Sequence, residues 1–446
     1  MDPTTVREAM DGPVHAAGDD GYDAARLPWQ RRIDPYPALI AEATSAQDVH
    51  AAIRFAREHD LPVAVQATGH GTVAPADDSL LLKTGRMSSV EVDAGRRIAR
   101  VSAGAPWSDI IAAAAPHGLA PLSGTSSAVS VAGYTLGGGA GWLSRAYGYA
   151  ADSVLRAEVV TAAGELLTVG PDEHPDLFWA LRGGGGNFGV VTAVEFRLYP
   201  AAQVYGGMAM FDAARAAGAF AVYREWALEE PDESNTALVV MTVPPLPQLP
   251  EAIRGRRVLA LRALYLGGAE EAERVLAPLL DAAGPPLMNG LAEASFAEAT
   301  AMGPPPPPTL AETRMDLLRE VPDEVIATAV EADGPVSAVE LRHWGGAMAR
   351  PADDAGPIGH RDVPFSVMVM AQVEEREQLA AARSGVEGVA ARLRAHATGG
   401  SFLNFLADPA ETATAYTPED YRRLAEVKRA YDPGNLFGAN HNIPPA

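Results

Sequence analysis

The sequence predicts an α+β protein of two or three domains, and three observations point to this fold class. The chain has 446 residues, which is too many for one simple hydrophobic core. From about residue 35 to residue 200, helix-like segments alternate with short apolar runs that are typical of strands. After Pro200, proline-rich breaks separate Ala/Glu/Arg-rich helix candidates from strand candidates, which indicates a second domain.

Capping residues, spacing and turn residues predict the individual elements. Ser45 and Asp48 have the spacing of a capping box and start a helix. Pro106 and Gly118 mark the first turn and the end of a second helix. Further strands are predicted at 61–65, 190–200, 257–266 and 364–373, with two more within 154–169. An exposed extended loop is predicted at 304–308, and a capped helix with a following turn at 417–437.

The composition restricts the partners of the protein. A formal net charge of -22 repels phosphate backbones and anionic lipid headgroups, so we expect no nucleic acid and no membrane partner. No apolar run approaches the ~18 residues of a membrane span, and the acidic N-terminus lacks the apolar stretch of a signal peptide. With 0 cysteines, disulfides and thiolate chemistry are excluded. The histidines are scattered without metal-ligand spacing. We therefore expect a cytoplasmic enzyme without a metal; the oligomeric state cannot be read from the sequence.

Three glycine-rich segments are candidates for a ligand cradle: 67–71, 133–141 and 182–189. Glycine lets backbone amides approach a ligand closely, and successive amides form an anion-binding nest suited to a pyrophosphate. Any one segment is as consistent with a simple turn as with ligand binding. Three of them within one region of helices and strands favour a cofactor cradle.

The third segment matches a dinucleotide-binding fingerprint in spacing alone. Gly184, Gly186 and Gly189 have the spacing G-x-G-x-x-G. That fingerprint requires a strand before it and a helix after it. Here a helix-like stretch, 175–182, comes before and a strand candidate, 190–196, comes after. The reversed order excludes the Rossmann interpretation.

Four stretches together resemble a known family. They are "LPVAVQATGHG", "SAVSVAGYTLGGGAGWL", "PDLFWALRGGGGNFGVVTAVEFRLYP" and "AEVKRAYDPGNLF". Their order is similar to that in berberine-bridge-enzyme-like flavoproteins, FAD-linked oxidases with a PCMH-type FAD-binding domain. The resemblance covers nearly the whole chain and is weakest between residues 200 and 400. It implies a two-part FAD-binding domain, 1–202 completed by 401–446, and a substrate domain, 203–400, with an antiparallel sheet and helices.

The resemblance implies that FAD is held covalently by His70. In this family a histidine at that position bonds to the 8α-methyl carbon of the flavin. A neutral imidazole nitrogen is the attacking group once the methyl has lost a proton. Many relatives add a second bond from a cysteine at the position of Ser126. Because the chain has no cysteine, we expect a single covalent link at most.

Further FAD contacts are implied along the same segments. Val129 matches a gatekeeper position that affects oxygen access in relatives, with core packing as an equal alternative. Asn440 and Asn442 flank His441 in a tail that relatives use to complete the flavin site, as cofactor or scaffold contacts. The expected FAD-binding residues are Thr68, Gly69, His70, Gly71, Thr72, Ser123, Gly124, Ser127, Val129, Gly133, Gly137, Gly138, Gly139, Gly141, Val191, Asn440 and Asn442.

The catalytic pattern departs from the family. Relatives often carry a Tyr-x-Asn-Tyr stretch whose second tyrosine removes a substrate proton. Here the stretch is "FLNF", and Phe402 and Phe405 have no hydroxyl that could act as a base. Either another residue replaces the base, or the substrate needs none, as for an amine with a neutral nitrogen.

Three residues are candidates for the missing chemistry. In a strand at 340–344, Glu340, Arg342 and Trp344 share one face, while Leu341 and His343 share the other. Arg342 is either a ligand for an anionic or carbonyl oxygen or part of a surface ion pair. His343 is either catalytic or structural. Tyr134, in the second glycine segment, either approaches the flavin and substrate or only packs.

Three functions are compatible with these residues. The first is an FAD-dependent oxidase that uses O₂ and acts on a small or medium, largely apolar alcohol, amine or natural-product intermediate. The second is a cyclase or rearrangement enzyme on the same fold, or an oxygenase. The third is a protein that sequesters FAD or a hydrophobic metabolite without turnover, which three glycine segments and His70 make the weakest of the three.

Overall fold

The computed structural model describes residues 2–301 and 307–446. Helices pack on three main β-sheets, so the predicted α+β class is confirmed. The loop expected at 304–308 lies mostly outside the described residues; Pro307 and Pro308 are described, and both are exposed. Within the described part of the chain, no helix is long and apolar enough to cross a membrane.

The first sheet has the strand order β1-β2-β4-β3, with β4 parallel to both β2 and β3. Its core contains Val49, Ile53 and Ala56 from one helix face, as their helical spacing predicts. The Ser45 side chain accepts a hydrogen bond from the Asp48 N–H at 3.2 Å and caps that helix. The elements are α1 Thr4–Ala9, β1 Val14–Ala16, α2 Tyr22–Arg26, β2 Leu39–Glu42, α3 Ala46–Glu58, β3 Val63–Gln66 and β4 Leu80–Lys83.

The second sheet is antiparallel with the order β5-β6-β10-β8-β9. Gly118 adopts φ 65° at the end of the short 3₁₀ turn that follows α4, which confirms its predicted role as a helix stop. The elements are β5 Val90–Asp93, β6 Ile98–Ser102, α4 Trp107–Ala114, β7 Leu119–Ala120, α5 Val131–Leu136, α6 Ser144–Tyr147, β8 Val154–Val160, β9 Leu166–Val169, α7 Pro175–Leu181, β10 Val190–Arg197 and β11 Tyr199–Pro200.

The large third sheet is antiparallel, with the order β15-β12-β14-β13-β18-β19-β17 and β16 beside β12. Four helices, α8, α9, α11 and α12, cover one face of it and form the largest apolar core with that face. The elements are β12 Val204–Asp212, α8 Ala216–Trp226, β13 Ser234–Thr242, β14 Arg257–Tyr265, α9 Ala269–Ala283, β15 Met288–Asn289, β16 Ala292–Ala294, α10 Phe296–Thr300, β17 Leu310–Leu318, α11 Asp323–Glu331, β18 Ala338–His343, β19 Phe365–Val373 and α12 Leu379–Leu393.

The C-terminal segment returns to the first half of the chain. Helix α13, Pro418–Tyr431, packs on α7, and Phe437 joins the core of the first sheet. Lys428 is fully buried, and its ammonium donates to Asp432 Oδ2 at 2.6 Å and to the Asn187 carbonyl at 2.7 Å. The buried charge thereby ties the C-terminal helix to the third glycine-rich segment.

Replacing Lys428 by methionine should lower the free energy of unfolding by about 3–5 kcal/mol, because Asp432 would stay buried without its cation. Urea unfolding followed by tryptophan fluorescence measures this change. The exposed neighbour provides the control: Arg429→Gln should shift the value by less than about 0.5 kcal/mol. Equal effects of the two substitutions would contradict the role of the buried pair.

Candidate active site

The first glycine segment forms a tight turn after β3 that presents His70. Gly69 has φ 74°, and a Cβ there would lie 2.6 Å from the Pro28 Cβ, so the position requires glycine. The His70 ring lies 4.1 Å from the Trp29 ring between centroids. Burial lowers the pKa of His70 below its ordinary value, so the imidazole is neutral near pH 7. A neutral ring keeps a nitrogen lone pair available for bonding.

Asn440 holds this turn in place from the far end of the chain. Its Oδ1 accepts from the Val73 N–H at 2.8 Å, and its Nδ2 donates to the Gly71 carbonyl at 3.1 Å. These two bonds span the turn on both sides of Thr72. Asn440 is therefore a scaffold contact for the His70 turn, one of the two roles that the sequence left open.

The second glycine segment encloses Tyr134. A Cβ at Gly124, Gly139 or Gly141 would come within 2.9 Å of an atom of the Tyr134 side chain, so these three glycines make room for the ring. The hydroxyl is buried and has no hydrogen-bond partner among the described residues. Burial raises the pKa of Tyr134, so the phenol stays protonated at neutral pH and is a donor, not a base.

Asn404 secures the same segment, and the sequence reading missed it. Its Nδ2 donates to the Tyr134 carbonyl at 3.1 Å, and its Oδ1 accepts from the Gly139 N–H at 2.8 Å. A Cβ at Gly137 would lie 2.5 Å from Asn404 Nδ2. Asn404 is the asparagine of the "FLNF" stretch, so the motif itself was the available signal.

The third glycine segment is joined to the other two. The Gly185 N–H donates to the Leu136 carbonyl at 2.9 Å, which links it to the second segment. Asn187 donates to the His441 carbonyl at 3.0 Å and accepts from the Ile443 N–H at 2.8 Å, which links it to the tail that carries Asn440. The C-terminal tail thus brings all three predicted segments into one arrangement.

The remaining expected cofactor residues lie along the same loops. The carbonyls of Ser127 and Val129 accept hydrogen bonds from the first N–H groups of α4. The side chains of both residues, like that of Ser126, are half-buried. Val191 is 4% exposed, and its side chain packs in the core between β10 and α7.

The residues present leave open space and unpaired polar atoms for a bound cofactor such as FAD. A Cβ added at Gly71, Gly133 or Gly186 would meet no heavy atom within 4 Å, so each glycine segment faces open space. Buried side-chain oxygens nearby have no partner among the described residues; they belong to Ser123, Thr135 and Asn442. Buried polar atoms of this kind are normally satisfied by a ligand or by water.

One face of the large sheet lies opposite the second glycine segment and is lined by methionines. Two cross-strand rows run Met208–Arg262–Ala237–Arg342–Ser366 and Met210–Ala260–Val239–Glu340–Met368–Met315. We call this the methionine face: it carries Met208, Met210, Met241, Met315, Met368 and Met370. The Asn235 side chain donates to the Gly141 carbonyl at 3.0 Å and ties this sheet to the glycine segment.

Arg342 and Glu340 lie on the methionine face, as the alternation predicts. Glu340 is buried between two guanidinium groups, with Arg342 Nη2 at 2.8 Å and Arg262 Nη1 at 2.9 Å. Burial alone would raise the pKa of Glu340, but the two arginines outweigh it and lower that pKa. The carboxylate is therefore ionised. The positive charge of Arg342 also opposes, without outweighing, the rise that burial causes in the pKa of Tyr134.

His343 points to the opposite, helix-covered face. Its ring Nδ1 lies 2.9 Å from both Arg145 Nη1 and Glu230 Oε2. The backbone N–H of His343 donates to the Tyr223 hydroxyl at 3.0 Å. Burial lowers the pKa of His343 despite the nearby carboxylate. The structure thus places Arg342 and Tyr134 on the same side of the sheet, where Gly141, beside the Tyr134 hydroxyl, is bonded to Asn235. His343 lies in a buried network on the other side.

Phe402 belongs to an aromatic cluster rather than to an open surface. Its ring is 3% exposed and lies 5.4 Å from Tyr149 and 5.1 Å from Trp344 between centroids, with Phe405 at 5.9 Å. Among the residues described, no group of three or more His, Asp or Glu could hold a metal ion.

Comparison with known proteins gives the family. A family model described as an FAD binding domain matches residues 37–170, and one described as berberine and berberine-like matches 401–444. The (R)-6-hydroxynicotine oxidase of Paenarthrobacter nicotinovorans is 32% identical over 464 aligned residues, which cover 98% of this chain and 97% of the relative. The chain belongs to the berberine-bridge-enzyme-like FAD-linked oxidoreductases. It is therefore an FAD-dependent enzyme, and the family resemblance seen in the sequence is confirmed.

Solved structures agree with this fold over the whole chain. A crystal structure of 6-hydroxy-D-nicotine oxidase from Arthrobacter nicotinovorans has a TM-score of 0.84 at 28% identity, with 98% of each chain covered. Glucooligosaccharide oxidase from Acremonium strictum, whose FAD is 6-S-cysteinyl and 8α-N1-histidyl, has a TM-score of 0.86 at 22% identity, with 99% of each chain covered. At that identity the second likeness shows the fold alone.

Asn440→Gly should lower the fraction of purified protein that carries FAD several-fold, because the His70 turn loses side-chain hydrogen bonds of about 0.5–1.5 kcal/mol each. Glycine is chosen because Asn440 has φ 61°, which alanine would strain. The ratio of flavin to protein absorbance measures occupancy. Asn289→Gly, in the edge strand β15, is the control and should keep the wild-type ratio; an unchanged ratio in Asn440→Gly would contradict the scaffold role.

Proposed function

We propose that the protein is an oxidase that removes two hydrogens from a largely apolar amine or alcohol and passes the electrons through FAD to O₂, with hydrogen peroxide as the second product. The observation that carries this proposal is the neutral His70 imidazole, held by Asn440 in the glycine turn of a chain that belongs to the FAD-linked oxidoreductases. Bound FAD supplies the hydride acceptor.

His70 is the covalent attachment point for FAD in this proposal, and the link is single because the chain has no cysteine. Two properties support it. The ring is neutral, so a nitrogen lone pair is free. The turn that carries it is fixed from both sides by Asn440. The FAD-binding domain consists of 1–202 and 401–446, and 203–400 supplies the substrate domain.

The substrate lies between the second glycine segment and the methionine face. Tyr134 is protonated and can donate a hydrogen bond, while Arg342 holds a positive charge close to it. Phe402 and Phe405 offer no base, which favours a substrate whose hydride leaves without prior loss of a proton, such as a neutral amine. The relative that oxidises 6-hydroxynicotine supports an amine as the first class to test.

Acid precipitation should leave the flavin in the protein pellet of the wild type, because a covalent bond survives unfolding. In His70→Ala the flavin should appear in the supernatant. His59→Ala is the matched control, since His59 is an exposed histidine at the end of α3, and its pellet should stay yellow. Free FAD released from the wild type would exclude the His70 link.

The rate of flavin attachment should be constant from about pH 8 to pH 6.5 and decline only at lower pH. Burial lowers the pKa of His70 beneath its usual value of about 6.5, so the imidazole becomes protonated, and unable to form the bond, only below that pH. Mixing apoprotein with FAD at each pH and following in-gel flavin fluorescence gives the rate. A midpoint above pH 7 would contradict a neutral, buried His70.

A substrate added without oxygen should bleach the visible flavin absorbance, and air should restore it with one hydrogen peroxide per turnover. The product should be lighter than the substrate by two hydrogens. An unchanged product mass would instead identify a rearrangement, and a gain of one oxygen atom an oxygenase. Flavin that no amine or alcohol bleaches would count against oxidase activity.

A further inference from the structure

The two cross-strand rows of the methionine face contain more positive than negative charge. In the two cross-strand rows over β12, β14, β13, β18 and β19, the charged side chains are Arg262, Arg342 and Glu340. Ala237 stands between the two arginines in their row and leaves both guanidinium groups room to reach Glu340. We call these three residues the arginine pair and its carboxylate.

Glu340 is the one carboxylate paired with either arginine in the part of the chain that the structure describes. Two positive charges therefore share one negative charge, which leaves a net charge of about +1. Burial of an unbalanced charge costs several kcal/mol. Arg262 is held partly by the Trp142 ring, 5.4 Å from its guanidinium carbon, which neutralises no charge.

Two hydrogen-bond donors on this side of the sheet also lack partners among the described residues, and the second of them lies beside Gly141, which the Asn235 side chain ties to the large sheet. They are Arg342 Nε and the Tyr134 hydroxyl, both buried. The other residues of the two rows are four methionines, Ala237, Ala260, Val239 and the single polar residue Ser366, whose hydroxyl accepts a hydrogen bond from the Trp344 ring N–H. The two rows thus combine positive charge and unpaired donors at one point with mostly apolar side chains, among them flexible, polarisable methionines.

We propose that the arginine pair and its carboxylate, together with Tyr134, bind an acidic oxygen group of the substrate, a carboxylate or an acidic phenol or enol, and that the methionine face holds its apolar body. The proposal rests on the proposed oxidase function, because it names the substrate class of that site. An anionic oxygen would balance the spare positive charge, and charge-assisted bonds to Arg are about twice as strong as neutral ones.

Ligand pairs that differ only in charge test the proposal in the FAD-loaded protein. Naphthalene-2-carboxylate and naphthalene-2-carboxamide have the same shape, and calorimetry gives the Kd of each. The wild type should bind the carboxylate at least about tenfold more tightly, which corresponds to about 1.4 kcal/mol. Arg342→Gln should reduce that preference to about threefold or less. Arg319→Gln, an exposed arginine paired with Asp362, is the control and should retain it.

Glu340→Gln provides a test of opposite sign. It keeps the size of the side chain but raises the local charge by one, so it should strengthen carboxylate binding several-fold and leave carboxamide binding unchanged. A purely structural role of Glu340 would weaken both ligands together. This variant remains informative if Arg342→Gln fails to fold.

Three results would overturn the proposal: equal Kd values for the two ligands in the wild type, no carboxylate binding up to about 1 mM, or a preference that survives in Arg342→Gln. The last result combined with a lower flavin reduction potential would assign Arg342 to the cofactor instead. Binding is measured without turnover, so these outcomes are separate from failure of the oxidase function, which appears as flavin that no substrate bleaches.

Discussion

The buried guanidinium of Arg145 holds the second glycine segment and the large sheet at a fixed distance from each other. Arg145 lies in the short helix α6, just after the second glycine segment, and is 1% exposed. Its donors reach the Ser234 carbonyl at 2.8 Å, the Glu230 carbonyl at 2.6 Å and the Trp344 carbonyl, all in the region of the large sheet. Arginine does not lose its proton in proteins, so any sliding of the sheet would leave a buried charge without partners.

The six residues of β18 alternate between the helix-covered core and the methionine face. Leu341 enters the helix-covered core and His343 joins Arg145 and Glu230, while Glu340 and Arg342 face the glycine loops. Because successive side chains point to opposite faces, one strand can anchor the sheet through His343 and also place the charges of Glu340 and Arg342 on the methionine face. The same property places methionines from β12, β13, β17 and β19 on a single face.

Local signals were sufficient for most of the fold. The Ser45 cap, the Gly118 stop and the strand–helix order around the third glycine segment depend on neighbours in sequence, and each is present as predicted. The contacts that shape the site could not be read in this way. Asn404 bonds to Gly139, which is 265 residues away in the sequence, and Arg145 bonds to His343, which is 198 residues away. Only the tertiary fold determines these pairs. The interpretation of "FLNF" considered the two missing hydroxyls and overlooked the asparagine between them.

The most direct test of the account is the position of the flavin on the peptide chain. Cleavage after Arg57 and Lys83 releases the peptide 58–83, which contains both His59 and His70. We predict that this peptide carries one FAD and that fragment masses place it on His70, with His59 unmodified. Recovery of the unmodified peptide in full yield from flavin-loaded protein, or flavin on His59, would contradict the account.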